Sequence, residues 1–248
     1  MMKNPLRKRL PKEFVGEIGK YLVIFLFMTI TIGLISGFLV ADSSMIKAYD
    51  ESFDKYNIED GNFELMEKAD DKLISSLESY GVAIYDNNYI ECDTDNNLNG
   101  EIDSTLRIFK NREEVNKVCL MKGKMPENID EIAIDRMYAD NNKVSVGDKI
   151  EVAGRKLKVT GLVALSDYSA LFSDNGDVMF DAVKFGVAIV TKEGYEAFDN
   201  VKVYYDYSWI YNDKPENETE EKKLSDGFMK ELNSSATIIK YIPRYGNQ

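Results

Sequence analysis

Segment 95–106 has oxygen-bearing side chains at spacings that resemble those of a calcium-binding loop. The first, third, fifth, sixth and ninth positions hold Asp95, Asn97, Asn99, Gly100 and Asp103. The twelfth position of such a loop needs a bidentate glutamate, and here it is Leu106. A strand pattern, not a helix, runs up to the segment. The sequence therefore predicts a polar connection between strands and no metal site.

Catalytic motifs are absent from the sequence. The chain has no histidine, which is the commonest general base and the commonest metal ligand. It contains neither a G-x-S-x-G nucleophile motif nor a G-x-x-x-x-G-K-[ST] phosphate loop. Its many Asp and Glu residues form no distinctive pair, and solvated surface is their usual place. We predict no catalytic, cofactor-binding or metal-ligating residues, no cofactor, and no enzymatic activity.

Two other groups of residues have open interpretations. Cys92 and Cys119 either pair in an oxidising compartment or remain free as small core residues, and their spacing does not decide between these. The aromatic residues of segment 201–211 either form a ligand-stacking surface or, more commonly, pack a sheet face against a helix. They are Tyr204, Tyr205, Tyr207, Trp209 and Tyr211.

An uncharged apolar run, residues 21–41, is the strongest pattern in the chain. At 1.5 Å rise per residue it spans about 30 Å, the hydrocarbon thickness of a bilayer. It is too long for the core of a cleaved signal peptide. We therefore predict a transmembrane helix over 21–41, continuing outward through a helical pattern that reaches Tyr56.

The flanking charges predict the orientation of this helix in the cell membrane. Residues 1–20 contain six Lys or Arg against two Glu, so the positive-inside rule places them in the cytoplasm and residues 42–248 outside. Phe14, Val15 and Ile18 share one helical face, so the tail either lies along membrane lipid or serves only to orient the anchor. The net charge of the whole chain is −12, which argues against nucleic-acid binding.

The outer part alternates between helical and strand patterns, so we predict an α+β class, with a single N-terminal transmembrane helix followed by a mixed α/β extracytoplasmic core domain. Strands are predicted at 62–66, 82–90, 104–109, 131–134, 185–191, 201–211 and 236–242. Helices are predicted at 69–80, 112–118, 135–142, 192–198 and 215–233. The length of 248 residues allows a short anchor plus one or two compact domains.

Segment 144–163 predicts a β-hairpin. Gly154-Arg155 fits the two central positions of a type II′ turn. In that register Val152 lies opposite Leu157 and Ile150 opposite Val159. Glu151 then faces Lys158 in a favourable cross-strand charge pair.

Segment 123–163 resembles the extracytoplasmic core domain of FtsX-like, or MacB-type, ABC transporter permeases. The shared pattern is G-x-[LM]-P, then E-I-A-[IL], a helix, V-G-D, and a hairpin that ends in K-V-x-G. The matching residues are Gly123, Met125, Pro126, Glu131, Ile132, Ala133, Ile134, Val146, Gly147, Asp148, Lys158, Val159 and Gly161. The basic tail, single anchor and large outer domain agree with this organisation.

The resemblance implies a non-catalytic domain between the first two transmembrane helices of a permease half. It implies as partners a cytoplasmic ABC ATPase, membrane lipid, the remaining permease helices and a second permease half, and it implies export or mechanotransmission. No membrane-spanning run follows the outer domain, so we expect an engineered fragment or a truncated reading frame of a permease.

Two other functions compete with this interpretation. A single-pass sensor with an outer ligand-binding domain is the main alternative, although a tail of this length holds no signalling domain. An anchored outer-face enzyme is the other, and it lacks a recognisable nucleophile or base. The sequence does not identify a transported substrate.

Overall fold

The computed structural model describes residues 15–168, 171–173 and 181–244. The chain divides into two compact units, one up to Glu51 and one from Ser52 onward. Phe14 and most of the basic tail lie outside the described residues.

Helix α1 (Ile18–Tyr56) contains the whole of the predicted transmembrane segment and its predicted continuation. Its apolar side chains within 21–41 are exposed, as expected for residues that face lipid. In the described part of the chain, α1 is the one helix with the length and apolar composition needed to cross a bilayer. The predicted helix therefore forms, and it ends within the second unit.

The second unit is built from strands and shorter helices. The strands are β1 (Gly61–Leu65), β2 (Val82–Asp86), β3 (Tyr89–Asp95), β4 (Ser104–Lys110), β5 (Cys119–Gly123), β6 (Glu131–Asp135), β7 (Lys149–Val152), β8 (Arg155–Ala164), β9 (Phe185–Val190), β10 (Val203–Tyr211) and β11 (Ile238–Pro243). The helices are α2 (Asp71–Glu78), α3 (Arg136–Asn142), α4 (Lys192–Glu196) and α5 (Glu218–Ser235). This mixture confirms the α+β class.

The first and last elements of this unit form one lobe, which we call the helical lobe. Its sheet has the order β11-β1-β10-β2, with every neighbouring pair antiparallel. In chain order the elements are β1-α2-β2 and β10-α5-β11, which is the ferredoxin-like arrangement. Phe63, Leu77, Trp209, Phe228 and Leu232 form the centre of its core, and all are almost fully buried.

The residues between β2 and β10 form a second lobe, which we call the barrel lobe. Its strands pair in the closed order β3-β4-β9-β6-β8-β7, and β7 completes the ring by pairing with both β8 and β3. The β4–β9 and β6–β8 pairs are parallel, and the others are antiparallel. Closure removes free edges and encloses a separate hydrophobic core.

Strand β10 belongs to both lobes. Its first two residues pair with β3 in the barrel lobe, and the rest pairs with β1 and β2 in the helical lobe. The predicted strand 82–90 is in fact β2 and the start of β3, which are separated by Asn87 and Asn88. The two lobes are therefore joined by a shared strand and by a short β2–β3 link.

The hairpin forms, but the predicted register is wrong. The turn residues are Ala153 and Gly154, with φ of 48° and 78°, the pattern of a type I′ turn. The observed pairs are Ile150↔Leu157, Glu151↔Lys156 and Val152↔Arg155. The cause is the position of Gly154, which occupies the second central site. Because the pairing shifts by two residues, each side chain stays on its predicted face.

Two other predictions need correction or addition. Residues 112–118 form no helix, and we call residues 111–118, between β4 and β5, the junction loop. Strand β5 follows this loop and was not predicted, because its side chains are largely exposed and show no alternation.

Candidate functional site

The junction loop binds the chain where α1 ends. Asn57, with φ of 46°, terminates the helical conformation. The backbone amides of Lys117 and Asn116 donate to the carbonyl oxygens of Tyr56 (2.8 Å) and Asn57 (2.9 Å). The Asn57 side chain donates to the Glu114 carbonyl oxygen at 2.7 Å. Three hydrogen bonds therefore attach the end of the helix to one loop.

The residue that follows β11 contacts the same segment of chain, the one directly after α1. Arg244, at the end of β11, donates from Nε to the Glu59 carbonyl oxygen at 2.7 Å and from its backbone amide to the Asp60 carbonyl oxygen at 2.9 Å. Its guanidinium lies 5.0 Å from the centre of the Phe53 ring, within cation–π range. The chain segments that enter and leave the second unit are thus bonded to each other.

The two cysteines occupy different places and are both free. Cys92 is buried in the barrel lobe, and burial raises the pKa of its thiol to about 12. Cys119 lies at the junction, where its Sγ is 3.0 Å from the Tyr56 hydroxyl, which donates to it. The open question of a disulfide is therefore answered in favour of two unpaired thiols.

Asn116, in the junction loop, is the centre of a group of buried polar contacts. It is fully buried, accepts from the Glu59 amide at 3.0 Å and donates to Glu59 Oε2 at 2.6 Å. Glu59 also accepts hydrogen bonds from Ser208 on β10 and Asn62 on β1. Burial raises the pKa of Glu59, and the charge of Asp167 acts in the same direction.

The sheet of the helical lobe has two different faces. One face carries the aromatic residues that pack on the helices, and the other carries polar residues turned toward the barrel lobe. We call the second face the polar face; it includes Glu59, Asn62, Glu64, Asp206 and Ser208. All of them except half-buried Asn62 are less than one-tenth exposed. The interface between the lobes is therefore polar and closed to solvent.

Asp206 lies in the middle of the polar face. Its Oδ2 accepts from Asn87 Nδ2 at 3.0 Å, and its cross-strand neighbour is Glu64. Glu64 in turn accepts from the Tyr89 hydroxyl at 3.1 Å. Burial raises the pKa of Asp206 well above its ordinary value, and the neighbouring charge of Glu59 adds to the effect.

A buried ion pair lies at the edge of the same interface. Arg112, in the junction loop, donates to Asp167 at 2.7 Å, and both side chains are less than one-tenth exposed. Its guanidinium also lies 4.0 Å from the centre of the Phe109 ring. A cleft of about 450 Å³ opens beside it, lined by residues of both charges and by Asn87 and Asn88. The pair ties the junction loop to the connection after β8.

The calcium-like segment folds as a self-contained polar turn. The Asp95 carboxylate accepts from the amides of Asn97 (3.0 Å) and Gly100 (2.6 Å), and Asp103 accepts from the Asn96 amide at 2.8 Å. Its acidic oxygens are thus used by the loop itself. Among the described residues, no group of three or more His, Cys, Asp or Glu is placed to hold a metal ion.

The aromatic residues of β10 pack as the structural interpretation predicts. The Trp209 ring lies 5.2 Å from that of Phe228 on α5 and 5.1 Å from that of Tyr241 on β11. Tyr207 stacks on Phe63 at 5.2 Å. Tyr204 instead stacks on Tyr89 at 4.7 Å, where β10 enters the barrel lobe. These rings form cores and lobe contacts, not a ligand surface.

The junction and the polar face were not predicted as sites. Their residues lie in three distant segments, around 57–60, 111–118 and 206–208, and only the tertiary fold brings these together. The signal that was available is the sequence E-D-G at 59–61, which places two acids between the helix and a buried strand.

Comparisons with known proteins gave structural matches only. The chain matches no protein-family model and no curated protein. One similar solved structure is the extracellular domain of the noncanonical ABC-type transporter YknZ from Gram-positive bacteria, with 13% identity, a TM-score of 0.40, and coverage of 72% of this chain and 100% of that one. Another is the periplasmic region of MacB from Actinobacillus actinomycetemcomitans, with 11% identity, a TM-score of 0.45, and coverage of 74% and 87%.

Proposed function

We propose that this chain is the N-terminal part of an FtsX-like or MacB-type ABC transporter permease. In this proposal residues 1–20 are cytoplasmic, 21–41 cross the cell membrane, and 42–248 form a non-catalytic domain outside it. The domain passes motion between a cytoplasmic ATPase and the outer face of the membrane. The motif in segment 123–163 and the charge asymmetry around the anchor support this assignment.

The main support for the proposed coupling is that the chain at the end of α1 is hydrogen-bonded to the junction loop. A helix that ended in a flexible linker would lose motion in that linker, because Gly- and Ser-rich segments behave as random coils. Here the residues directly after the helix are bonded to the junction loop and to Arg244. A displacement of the helix end therefore acts on a loop that is tied to both lobes.

The partner assignment is tested by purification from native membranes. A tagged chain, extracted in mild detergent from the cells that encode it, should co-purify with a P-loop ATPase and with further permease helices. A control with the same tag on an unrelated single-pass protein should retain neither. Recovery of the chain free of any ATPase, at the yield of the control, would refute the permease assignment.

The coupling is tested on that purified complex by hydrogen exchange. Exchange of the junction loop should differ between the ATP-plus-vanadate and ADP states in the wild type. In Asn57→Ala the complex should assemble, but the nucleotide-dependent difference in the loop should shrink. Asn111→Ala, in the same loop but exposed, is the matched control and should retain the difference. An unchanged response in Asn57→Ala would show that motion does not pass through this junction.

A further inference from the structure

We propose that the polar face between the two lobes binds a proton at neutral pH, and that the packing of the lobes weakens when this proton is lost. The groups that hold it are the buried carboxyls of Asp206 and Glu59, and the charge of Glu59 acts on Asp206. This makes the packing of the two lobes sensitive to the pH of the surrounding medium. The inference concerns this domain's own packing and does not depend on the proposed transport function.

The first argument is that three acidic side chains are buried close to one another. Glu59, Glu64 and Asp206 are 3%, 6% and 7% exposed; Glu64 and Asp206 lie on one sheet face, and Glu59, which precedes β1, contacts that face through Ser208. Glu64 and Asp206 are directly opposite each other on adjacent strands. Like charges at such a position repel, and two buried carboxyls that share a site do not both ionise easily.

The second argument is that the nearby arginines are used elsewhere, and that half-buried Lys240, whose charge lowers the pKa of Asp206, forms no ion pair with it in the described structure. Arg112 donates to Asp167 at 2.7 Å, and the Arg244 side chain donates to the backbone oxygen of Glu59, not to its carboxylate. Among the ion pairs of the described residues, none involves Glu59 or Asp206. A buried carboxylate without a paired cation is costly, so the neutral acid is favoured.

The third argument is the set of hydrogen bonds. The Oδ1 atom of Asp206 is buried without a partner in the described structure, whereas Glu59 accepts from Asn62, Asn116 and Ser208, and these donors favour its carboxylate and oppose the larger effect of burial. A fully ionised Asp206 would leave that oxygen charged and unsatisfied. The charged and titratable groups that face this pair are Glu64 on β1, Tyr89 on β3, Lys240 on β11, Arg112 in the junction loop, Asp167 after β8, and Arg244.

The direction of the pH effect follows from the raised pKa values of Glu59 and Asp206. A carboxyl whose pKa is higher in the folded state than in the unfolded state holds more protons when folded. Stability is therefore greatest below the ordinary carboxyl pKa and declines as pH rises through the folded pKa. This is opposite to the usual behaviour of salt-bridged acids, whose contribution is lost as pH falls.

The experiment is urea unfolding of the full chain in detergent micelles, followed by fluorescence of Trp209. This is the single tryptophan of the chain, and it lies in the core of the helical lobe. Between about pH 5 and pH 9 the wild-type midpoint should move to lower urea. Asp206→Asn and Glu59→Gln should each flatten this dependence and raise the midpoint at the alkaline end. The control Asp213→Asn, an exposed acid, should parallel the wild type.

An infrared spectrum of the wild type tests for the bound proton directly, without a variant. A carbonyl band of a protonated carboxylic acid should be present at neutral pH and should vanish on alkaline titration. Asp206→Asn or Glu59→Gln should weaken it if the variant folds. Absence of the band from the folded wild type at neutral pH would overturn the proposal, and so would variants whose pH dependence parallels that of the wild type.

Discussion

Replacement of Asn116 by alanine tests whether the end of α1 is held by specific hydrogen bonds. The side chain is fully buried and joins three segments: the chain after α1, the junction loop and β10. It accepts from the Glu59 amide at 3.0 Å, donates to the Glu59 carboxyl at 2.6 Å, and lies 3.4 Å from Ser208 Oγ. Alanine removes all of these contacts while leaving the backbone hydrogen bonds of the loop in place.

The expected loss of unfolding free energy is about 3–5 kcal/mol. Leaving a buried donor unsatisfied costs about 1–3 kcal/mol, and the Glu59 amide carries this penalty. The Glu59 carboxyl keeps the Ser208 hydrogen bond, so loss of the Asn116 bond there adds a further cost of about 0.5–1.5 kcal/mol. Asn116 also has φ of 47°, and the left-handed conformation costs an L-residue about 1–2 kcal/mol, less for asparagine than for alanine. The hydrogen bonds are therefore the larger part of the effect, and the backbone conformation is the smaller part.

The assay is equilibrium urea unfolding of the full chain in micelles, monitored by Trp209 fluorescence. Asn116→Gly separates the two contributions, because glycine adopts positive φ freely; it should recover about 1 kcal/mol of the loss. Asn111→Ala, exposed in the same loop, should change stability by less than about 0.5 kcal/mol. A loss below about 0.5 kcal/mol for Asn116→Ala would refute the reasoning, since that is the effect of an ordinary surface substitution.

Three further outcomes are expected. Gly61→Ala should destabilise the helical lobe by at least about 1–3 kcal/mol in the same urea assay, because a Cβ there would overlap the Trp209 ring and overpack the core; equal stability would mean that the ring has room to move. Val159→Asp should cost several kcal/mol, on the order of burying an unpaired charge, since Val159 is fully buried in the barrel lobe; a near-neutral change in thermal unfolding would contradict this. Asp213→Cys, at an exposed position, should react with an impermeant maleimide in intact cells if residues 42–248 lie outside the membrane. Reaction only after lysis would reverse the proposed topology.

Most elements of the fold follow from local patterns in the sequence. The alternation of apolar residues predicts β10 and β11, and the N-terminal acids and Pro of segment 215–233 predict α5. Gly81, with φ of 81°, ends α2 where the sequence indicates. These signals are reliable here because each depends on neighbours a few residues apart.

The remaining features depend on distant parts of the chain. Segment 112–118, in the junction loop, is predicted from the sequence as a short helix. The loop instead hydrogen-bonds the chain after α1, and Asn116 takes positive φ to do so. The tertiary contacts override a short helical preference in this case.

The polar face was not predictable for a different reason. Glu64 and Asp206 occupy alternating positions that a sequence pattern assigns to the solvent side of a half-buried sheet. The barrel lobe covers that side, but nothing in the local sequence marks the coverage. The sequence does not distinguish a buried acid from an exposed one, and only the packing of the lobes does so.

The insertion of one lobe into the other has a consequence for how the chain reaches its native state. The barrel lobe is nearly continuous in sequence, whereas β1 and β2 find their shared partner β10 only after the whole insertion. Pairings between such distant segments form slowly, because loop closure must precede them. We therefore expect the barrel lobe to be complete first during synthesis, and the helical lobe to close around β10 last. The end of α1 would then be secured only in the final step of folding, once Arg244 has been made.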